Sequence, residues 1–247
     1  MSFVNYEVWK AKEVAEKYLS GVRGAVPLAQ VQIEIMVRII DSCNVKIEKI
    51  LDLGCGDGIL SAAVLQQYPH ASCVLLDISE PMLQAAKEKL VNYNDKLSFL
   101  LLDYGDSLWI EKVKIAGPFD VIISGFSIHH QNDDRKQELY SEIFELLKSG
   151  GLFLNLEHVS SSSEWVSSLF DEYFIDSLYN MHLRNDAGKT RQEVADELYR
   201  RDDKAANILA PVEQQCEWLR NIGFQDVDCY FKIFELALFG GRKQNRN

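Results

Sequence analysis

Three aspartates stand at corresponding places in the chain. Asp52 lies in the apolar run of residues 50–53, Asp77 follows Leu75-Leu76, and Asp103 follows Leu101-Leu102. Directly after the first run comes Gly54-Cys55-Gly56-Asp57-Gly58. Glycines at a strand-to-helix turn let the backbone adopt positive φ and approach a ligand closely. The dinucleotide fingerprint is G-x-G-x-x-G, with a helix N-terminus facing a pyrophosphate. Here the spacing is G-x-G-x-G, residue 59 is Ile, and Asp52 and Asp57 flank the turn. Carboxylates in that position repel a pyrophosphate and suit an ammonium group.

Asp77 falls about 20 residues beyond the turn, the placement of a carboxylate that bonds ribose hydroxyls. It could instead cap the helix that follows, although Ser79 is better placed as that cap. Asp103 could simply open a turn with Gly105. Taken together, acids at three successive strand ends face the crevice where open α/β sheets bind ligands. They call for a ligand with a ribose, an adenine amino group and a cationic head but no pyrophosphate. S-adenosylmethionine has these features.

His129-His130 could supply a general base, since imidazole titrates near neutrality. In extended backbone, adjacent residues point in different directions, so both could not face one substrate. Shaping the site is the competing role. A metal needs a third ligand, and none is suitably spaced. The five cysteines (Cys43, Cys55, Cys73, Cys216 and Cys229) contain no C-x-x-C pair, which argues against both a disulfide scaffold and a zinc site. Arg23, between two glycines, is a candidate partner for a ligand α-carboxylate. Trp165, Phe170, Tyr173 and Phe174 could cage a substrate or pack on the sheet edge.

These side chains must be positioned by an alternating pattern. Short apolar runs at 50–53, 72–76, 97–101, 119–124 and 152–156 read as buried strands. Helical segments separate them, including one from Asp133 or Asp134 to residue 147 that ends at Gly150-Gly151. Such alternation predicts right-handed crossovers and a parallel sheet covered on both faces. Residues 1–45 read as N-terminal helices, one of them over 4–19 and another over 28–42. Residues 160–208 break the rhythm as a helical lid insertion. A helix over 212–221 and runs at 227–231 and 234–239 follow; the last two are too close for a crossover and should be antiparallel. Residues from 240 onward read as a basic, frayed tail. The 247 residues suit a single domain over 1–247. Hydrophobic residues make up 47%, charged residues 26%, and the net charge is −11. That charge opposes nucleic acid and anionic lipid as partners. No signal-like or membrane-spanning run is evident, so a reduced, soluble, cytoplasmic protein is the expectation.

The segments LDLGCGDG, LLDIS, LLDYGD, FDVIISGFSIHH, LLKSGGLFLNLEHV and IGFQDVDCYFKIFELALFGGRK resemble the class I S-adenosylmethionine-dependent methyltransferases over roughly residues 47–159 and 210–243. The resemblance implies an α/β, Rossmann-like three-layer sandwich, with a mostly parallel seven-stranded sheet and an antiparallel last strand. It implies that Asp52 and Gly54, Cys55, Gly56, Asp57 and Gly58 line the methionine moiety. It places Asp77 on the ribose, Ile78 and Met82 on the adenine face, and Asp103 with the Tyr104 backbone on the adenine amino group. Ser124 would sit beside the donor methyl, followed by Phe126, His129 and His130. A small-molecule acceptor, bound under the 160–208 lid and the N-terminal helices, is the expected partner, and a homodimer is open.

The N-terminal helices and the Tyr199-Arg200-Arg201, Val212-Glu213-Gln214 and Gly223-Phe224 segments also resemble carboxy-S-adenosylmethionine synthases linked to tRNA modification. That resemblance implies that Arg200 holds an extra carboxylate. The full G-x-G-x-G turn departs from those enzymes and favours methyl transfer. A nicotinamide dehydrogenase would need the missing G-x-x-G spacing, and a non-catalytic nucleoside sensor is a further alternative.

Overall fold

The computed structural model describes residues 6–19, 23–43, 45–185, 188–201, 204 and 206–244, except for the Arg23 side chain. Seven strands form one sheet: β1 Lys49–Leu53, β2 Ser72–Asp77, β3 Leu97–Leu101, β4 Phe119–Gly125, β5 Leu147–His158, β6 Gln225–Ile233 and β7 Leu236–Arg242. Their order is β3-β2-β1-β4-β5-β7-β6. Strands β1 to β5 pair in parallel, and β7 runs antiparallel to both β5 and β6. The order reverses between β1 and β4, so a crevice opens beyond their C-terminal ends.

Successive strand residues point to opposite faces, and the core divides accordingly. Leu51, Leu53 and Ile122 join a cluster with Trp109, Leu139, Tyr140, Ile143 and Leu219. Those partners come from α6 (Trp109–Val113), α7 (Asp133–Leu146) and α10 (Val212–Ile222). Ile50, Val121 and Ile123 join the opposite cluster, with Met36, Ile40, Leu60, Val64, Leu83 and Ala86. These belong to α3 (Ala29–Ser42), α4 (Ile59–Gln67) and α5 (Glu80–Lys89). The result is a three-layer α/β sandwich whose strands are apolar because both of their faces are covered.

The insertion folds as α8 (Glu164–Arg184) and α9 (Arg191–Tyr199). Ser163 caps α8 by accepting from the Val166 N–H, and Thr190 with Glu193 forms a capping box on α9. These helices share a small core with the N-terminal arm: Ala25 in α2 (Arg23–Ala25) packs with Ile175, Leu178, Met181, Val194 and Leu198. The Ser177 hydroxyl donates to the Ala25 carbonyl at 2.6 Å. The arm itself differs from the single helix expected over residues 4–19. A 3-10 turn over Tyr6–Lys10 leads into the short α1 (Lys12–Lys17).

Two expectations are corrected at the fifth strand. It starts at Leu147, ahead of the glycine pair, because a register shift carries it from the Phe119 pairing to the Val121 pairing. The chain from Gly240 is no frayed tail. Gly240 and Gly241 pair with Leu154 and Phe153, the Lys243 N–H donates to the Gly151 carbonyl at 2.8 Å, and the Lys243 ammonium caps the Phe144 and Leu147 carbonyls. Glycine is needed because a Cβ on Gly240 would lie 2.0 Å from the Phe153 carbonyl oxygen. Gly240→Ala should therefore cost about 1–3 kcal/mol through overpacking. Urea unfolding followed by circular dichroism would read this as a lower midpoint; an unchanged midpoint would mean the two backbones can separate freely.

Candidate active site

The glycine turn is built by backbone geometry and fixed by one carboxylate. Gly54 and Gly56 have φ of 64° and 53°. A Cβ on Gly54 would lie 1.8 Å from Ser127 Oγ, whereas one on Gly56 would meet no atom within 4 Å. The first glycine thus allows β1 to approach the loop after β4, and the second leaves the floor of the cleft open. The Gly56 N–H donates to Asp77 Oδ2 at 2.8 Å, and the Ser79 N–H donates to Asp77 Oδ1 at 2.8 Å. Ser79 occupies the N-cap position of α5, but its hydroxyl makes no cap bond. The start of α5 is thus held by Asp77, through the Ser79 N–H, and not by the Ser79 hydroxyl expected as its cap.

Burial raises the Asp77 carboxyl to about 6, against the pull of its backbone N–H partners. Burial, reinforced by Asp77 and Asp52, likewise holds the Cys55 thiol well above its ordinary range. Cys55 is thus a protonated wall residue, unsuited to nucleophilic attack. Asp52 accepts from the Ser61 hydroxyl at 2.6 Å, and Asp57 pairs with Lys89. Asp103 accepts from the Gly105 N–H at 2.7 Å and from the Tyr6 hydroxyl at 3.0 Å. The Tyr104 carbonyl is gripped by the Arg135 guanidinium.

A cavity of about 870 Å³, counting its open mouth, lies over these groups. It is lined by Asp52, Gly54, Cys55, Gly56 and Asp57 from the first strand and turn, and by Asp77, Ile78, Ser79 and Met82 from the second. Asp103, Tyr104, Gly125, Phe126 and Ser127 line its other sides. The N-terminal arm covers it with Tyr6, Trp9 and Tyr18. A second cavity, of about 760 Å³ by the same measure, is walled by Phe170, Phe174, His129, His158, Arg201 and Lys204 among others. Trp9, Tyr18, Phe126 and His130 line both cavities.

The histidines sit at that junction. They share a 3-10 turn over Ile128–His130, so the expectation that they diverge fails: their ring centroids are 4.0 Å apart and both line the second cavity. His129 Nδ1 lies 2.5 Å from Glu157 Oε1. Glu157 is fully buried and also accepts from the His129 and His158 N–H groups at 3.0 and 2.8 Å. Its carboxyl is raised to about 6, chiefly by burial. His130 Nδ1 lies 3.1 Å from the Ala206 carbonyl. A carbonyl only accepts, so Nδ1 carries the proton and Nε2 is the basic nitrogen.

Three sequence expectations are displaced. Ser124 is fully buried and donates to the Leu53 carbonyl at 2.8 Å; Ser127 faces the cleft in its place, bonded to the Tyr104 hydroxyl at 2.6 Å. Gly58 does not line the cavity. It caps α4, and a Cβ there would meet Leu90 and Ala86. Arg200 points to solvent, its side chain 79% exposed and paired with Asp196. The Arg23 side chain lies outside the described residues. Of the four proposed cage aromatics, Phe170 and Phe174 line the second cavity, Trp165 is exposed, and Tyr173 packs near Phe234. Glu157 escaped sequence reasoning, although a lone acid in the buried run Leu152–Leu156 and onward was a visible signal. Tyr6, Trp9 and Tyr18 carried no comparable signal. Among the described residues, no helix is long and apolar enough to cross a membrane.

The sheet order, glycine turn and strand-end acids define a nucleoside-binding domain of methyltransferase type. Residues 50–151 match the family model described as a methyltransferase domain. The chain is 20% identical over 230 residues to a carboxy-S-adenosyl-L-methionine synthase of Nautilia profundicola, covering 92% of this chain and 91% of that one. It is 34% identical over 127 residues to a demethylmenaquinone methyltransferase of Leptospira interrogans, covering 51% and 49%. Human N-acetylserotonin methyltransferase, solved in complex with SAM, superposes with a TM-score of 0.62 at 15% identity, covering 99% of this chain and 60% of that one. The chain thus spans about half of the second relative and three-fifths of the human enzyme. Residues 50–151 thus match a methyltransferase domain, and the chain as a whole is similar to S-adenosylmethionine-dependent methyltransferases.

The residues of the first cavity fit that cofactor. The space above Gly56 is open, and the Ser79 hydroxyl, buried in the lining, has no hydrogen-bond partner among the described residues. The raised Asp77 predicts a titration midpoint near pH 6 in the ligand-free protein, with the proton taken up as pH falls. Carbon-13 NMR of labelled aspartate carboxyls would show it; a midpoint below about 4, the ordinary range, would contradict the burial assigned to this group.

Proposed function

We propose that the protein transfers a methyl group from S-adenosylmethionine to a hydroxyl of a small molecule. The observation that carries this reading is the junction. One cavity opens on the strand-end acids, the other on the histidines, and Trp9, Tyr18, Phe126 and His130 line both. The Gly54–Asp57 turn and Asp52 hold the methionine moiety, Asp77 the ribose diol, and Ile78, Met82 and Asp103 the adenine. Tyr6 must share or yield Asp103, because its hydroxyl already donates there.

Held there, S-adenosylmethionine would supply a methyl group already activated by its sulfonium charge, for transfer to an acceptor hydroxyl. His130 Nε2 takes the hydroxyl proton. Glu157 orients the neighbouring His129, fixing the floor on which the acceptor lies. Positioning supplies most of the acceleration, since the methyl is already activated. Loss of a charged acceptor for the ribose hydroxyls should weaken S-adenosylhomocysteine binding by about 1–3 kcal/mol in Asp77→Ala, read by titration calorimetry. His130→Gln should leave that affinity alone and lower label transfer from methyl-labelled donor to a low-molecular-weight extract by about 10²-fold or more. Equal transfer by this variant and the wild type would remove His130 from the chemistry.

A second reading is a carboxy-S-adenosylmethionine synthase-like activity. The similarity to such an enzyme along nearly its whole length supports it. Against it, the first cavity is lined by no lysine or arginine among the described residues. Mass spectrometry of the nucleoside that co-purifies separates the two: one heavier by a carboxyl group would replace methyl transfer with this activity.

A further inference from the structure

Within the methyl-transfer reading, on which this inference rests, we propose that His158 recognises a second hydroxyl on the acceptor, so that the second cavity selects a planar diol. His130 meets the hydroxyl that is methylated, His158 Nδ1 accepts from the other, and Glu235 holds the His158 ring.

His158 lines the second cavity and not the first, so what it meets is the acceptor and not the methyl donor. Its Nε2 lies 2.9 Å from Glu235 Oε2, and Glu235 is buried. Burial raises the proton affinity of Glu235, yet its hydrogen-bond partners, His158 first among them, outweigh that and hold the carboxyl below its ordinary range. An ionised carboxylate only accepts, so Nε2 carries the proton and Nδ1 keeps its lone pair in the neutral ring. Nδ1 makes no hydrogen bond among the described residues and is not sealed from solvent. His130 has the opposite tautomer, with its proton on Nδ1.

The sheet holds this pair in place. His158 ends β5, and Glu235 lies in the turn between β6 and β7. The Val159 N–H donates to the Glu235 carbonyl at 2.8 Å, and His158 pairs with Leu236 across the ladder. Phe234 takes a left-handed φ of 50°, which is unfavourable for a bulky side chain, and the turn it makes delivers Glu235 to His158. A hydrogen-bonding atom fixed by strands in this way is held to the tolerance that recognition requires.

The walls set the rest of the shape. Phe170 lies against the His158 ring with centroids 5.6 Å apart, and it stacks on Phe174 at 5.8 Å with planes 12° apart. Flat apolar faces beside an open acceptor atom favour a flat body with a donor at its edge. A site built to bond a hydroxyl disfavours the analogue that lacks it, because the acceptor atom is then left unpaired. Asp171 also lines this cavity and is a rival acceptor for the same hydroxyl.

The test uses the full chain loaded with S-adenosylhomocysteine. Catechol, resorcinol and hydroquinone are titrated calorimetrically beside phenol. At least one diol should bind about tenfold or more tighter than phenol, which leaves the acceptor atom unpaired. The His158→Phe/Glu235→Met double variant, which removes both partners of the bond, should bind that diol and phenol alike while keeping its affinity for S-adenosylhomocysteine. Asp171→Asn should retain the preference. Diols and phenol binding alike in the wild type, none of them binding, a preference that survives in the double variant, or one that is lost in Asp171→Asn would overturn the role of His158 while leaving the donor site standing. Failure of the wild type to bind S-adenosylhomocysteine would overturn both. A double variant that also loses its cofactor affinity is judged by nitrogen-15 NMR of the histidine-labelled wild type. A ring protonated at Nε2 whose Nδ1 resonance moves when the diol is added upholds the role of His158, and the absence of such a response overturns it.

Discussion

Two backbone amides converge on one buried carboxylate. The N–H groups of Gly56 and Ser79 donate to the two oxygens of Asp77, tying the turn after β1 to the end of β2. Burying a carboxylate is costly unless donors surround it. Here the donors come from two loops that border the first cavity. The glycine turn is held over the crevice, the start of α5 is set, and Asp77 itself lines the cavity. The same burial that raises its proton affinity makes the site sensitive to what enters it.

Across the junction, the logic repeats around a second buried carboxylate. Glu157, equally buried, gathers the His129 ring and the N–H groups of His129 and His158. The histidine turn is therefore rigid before any acceptor arrives, which is the condition for effective positioning. The lid adds little to the central sheet. Its helices share a separate core with the N-terminal arm; the arm lines both cavities, and the lid walls the second. Chain segments that are distant in sequence thus cover one site, while the sheet supplies its floor.

Much of this was legible in the sequence. The alternation of apolar runs with helical segments gives the parallel sheet, and strand polarity alone carries Asp52, Asp77 and Asp103 to one edge. The closing antiparallel pair followed from a connection too short for a crossover. What escaped depended on tertiary placement. Ser124 and Ser127 are indistinguishable as serines near a strand end; only the pleat turns the first into the core. The histidines looked divergent because a 3-10 turn was not anticipated. Gly240 and Lys243 looked like a tail because their partners, Leu154 and Gly151, lie far back in the chain. Tyr6, Trp9 and Tyr18 fall in the stretch read as one helix over 4–19, and nothing in their spacing says they roof a cleft.

The central claim is that Asp77 and the glycine turn form the seat of the cofactor's nucleoside. A crystal structure of the chain grown with S-adenosylhomocysteine tests it most directly. The ribose hydroxyls should lie within hydrogen-bond distance of Asp77, with the sulfur directed toward Phe126 and His130. A nucleoside bound elsewhere, or bound in this cleft with its ribose away from Asp77, would contradict the account.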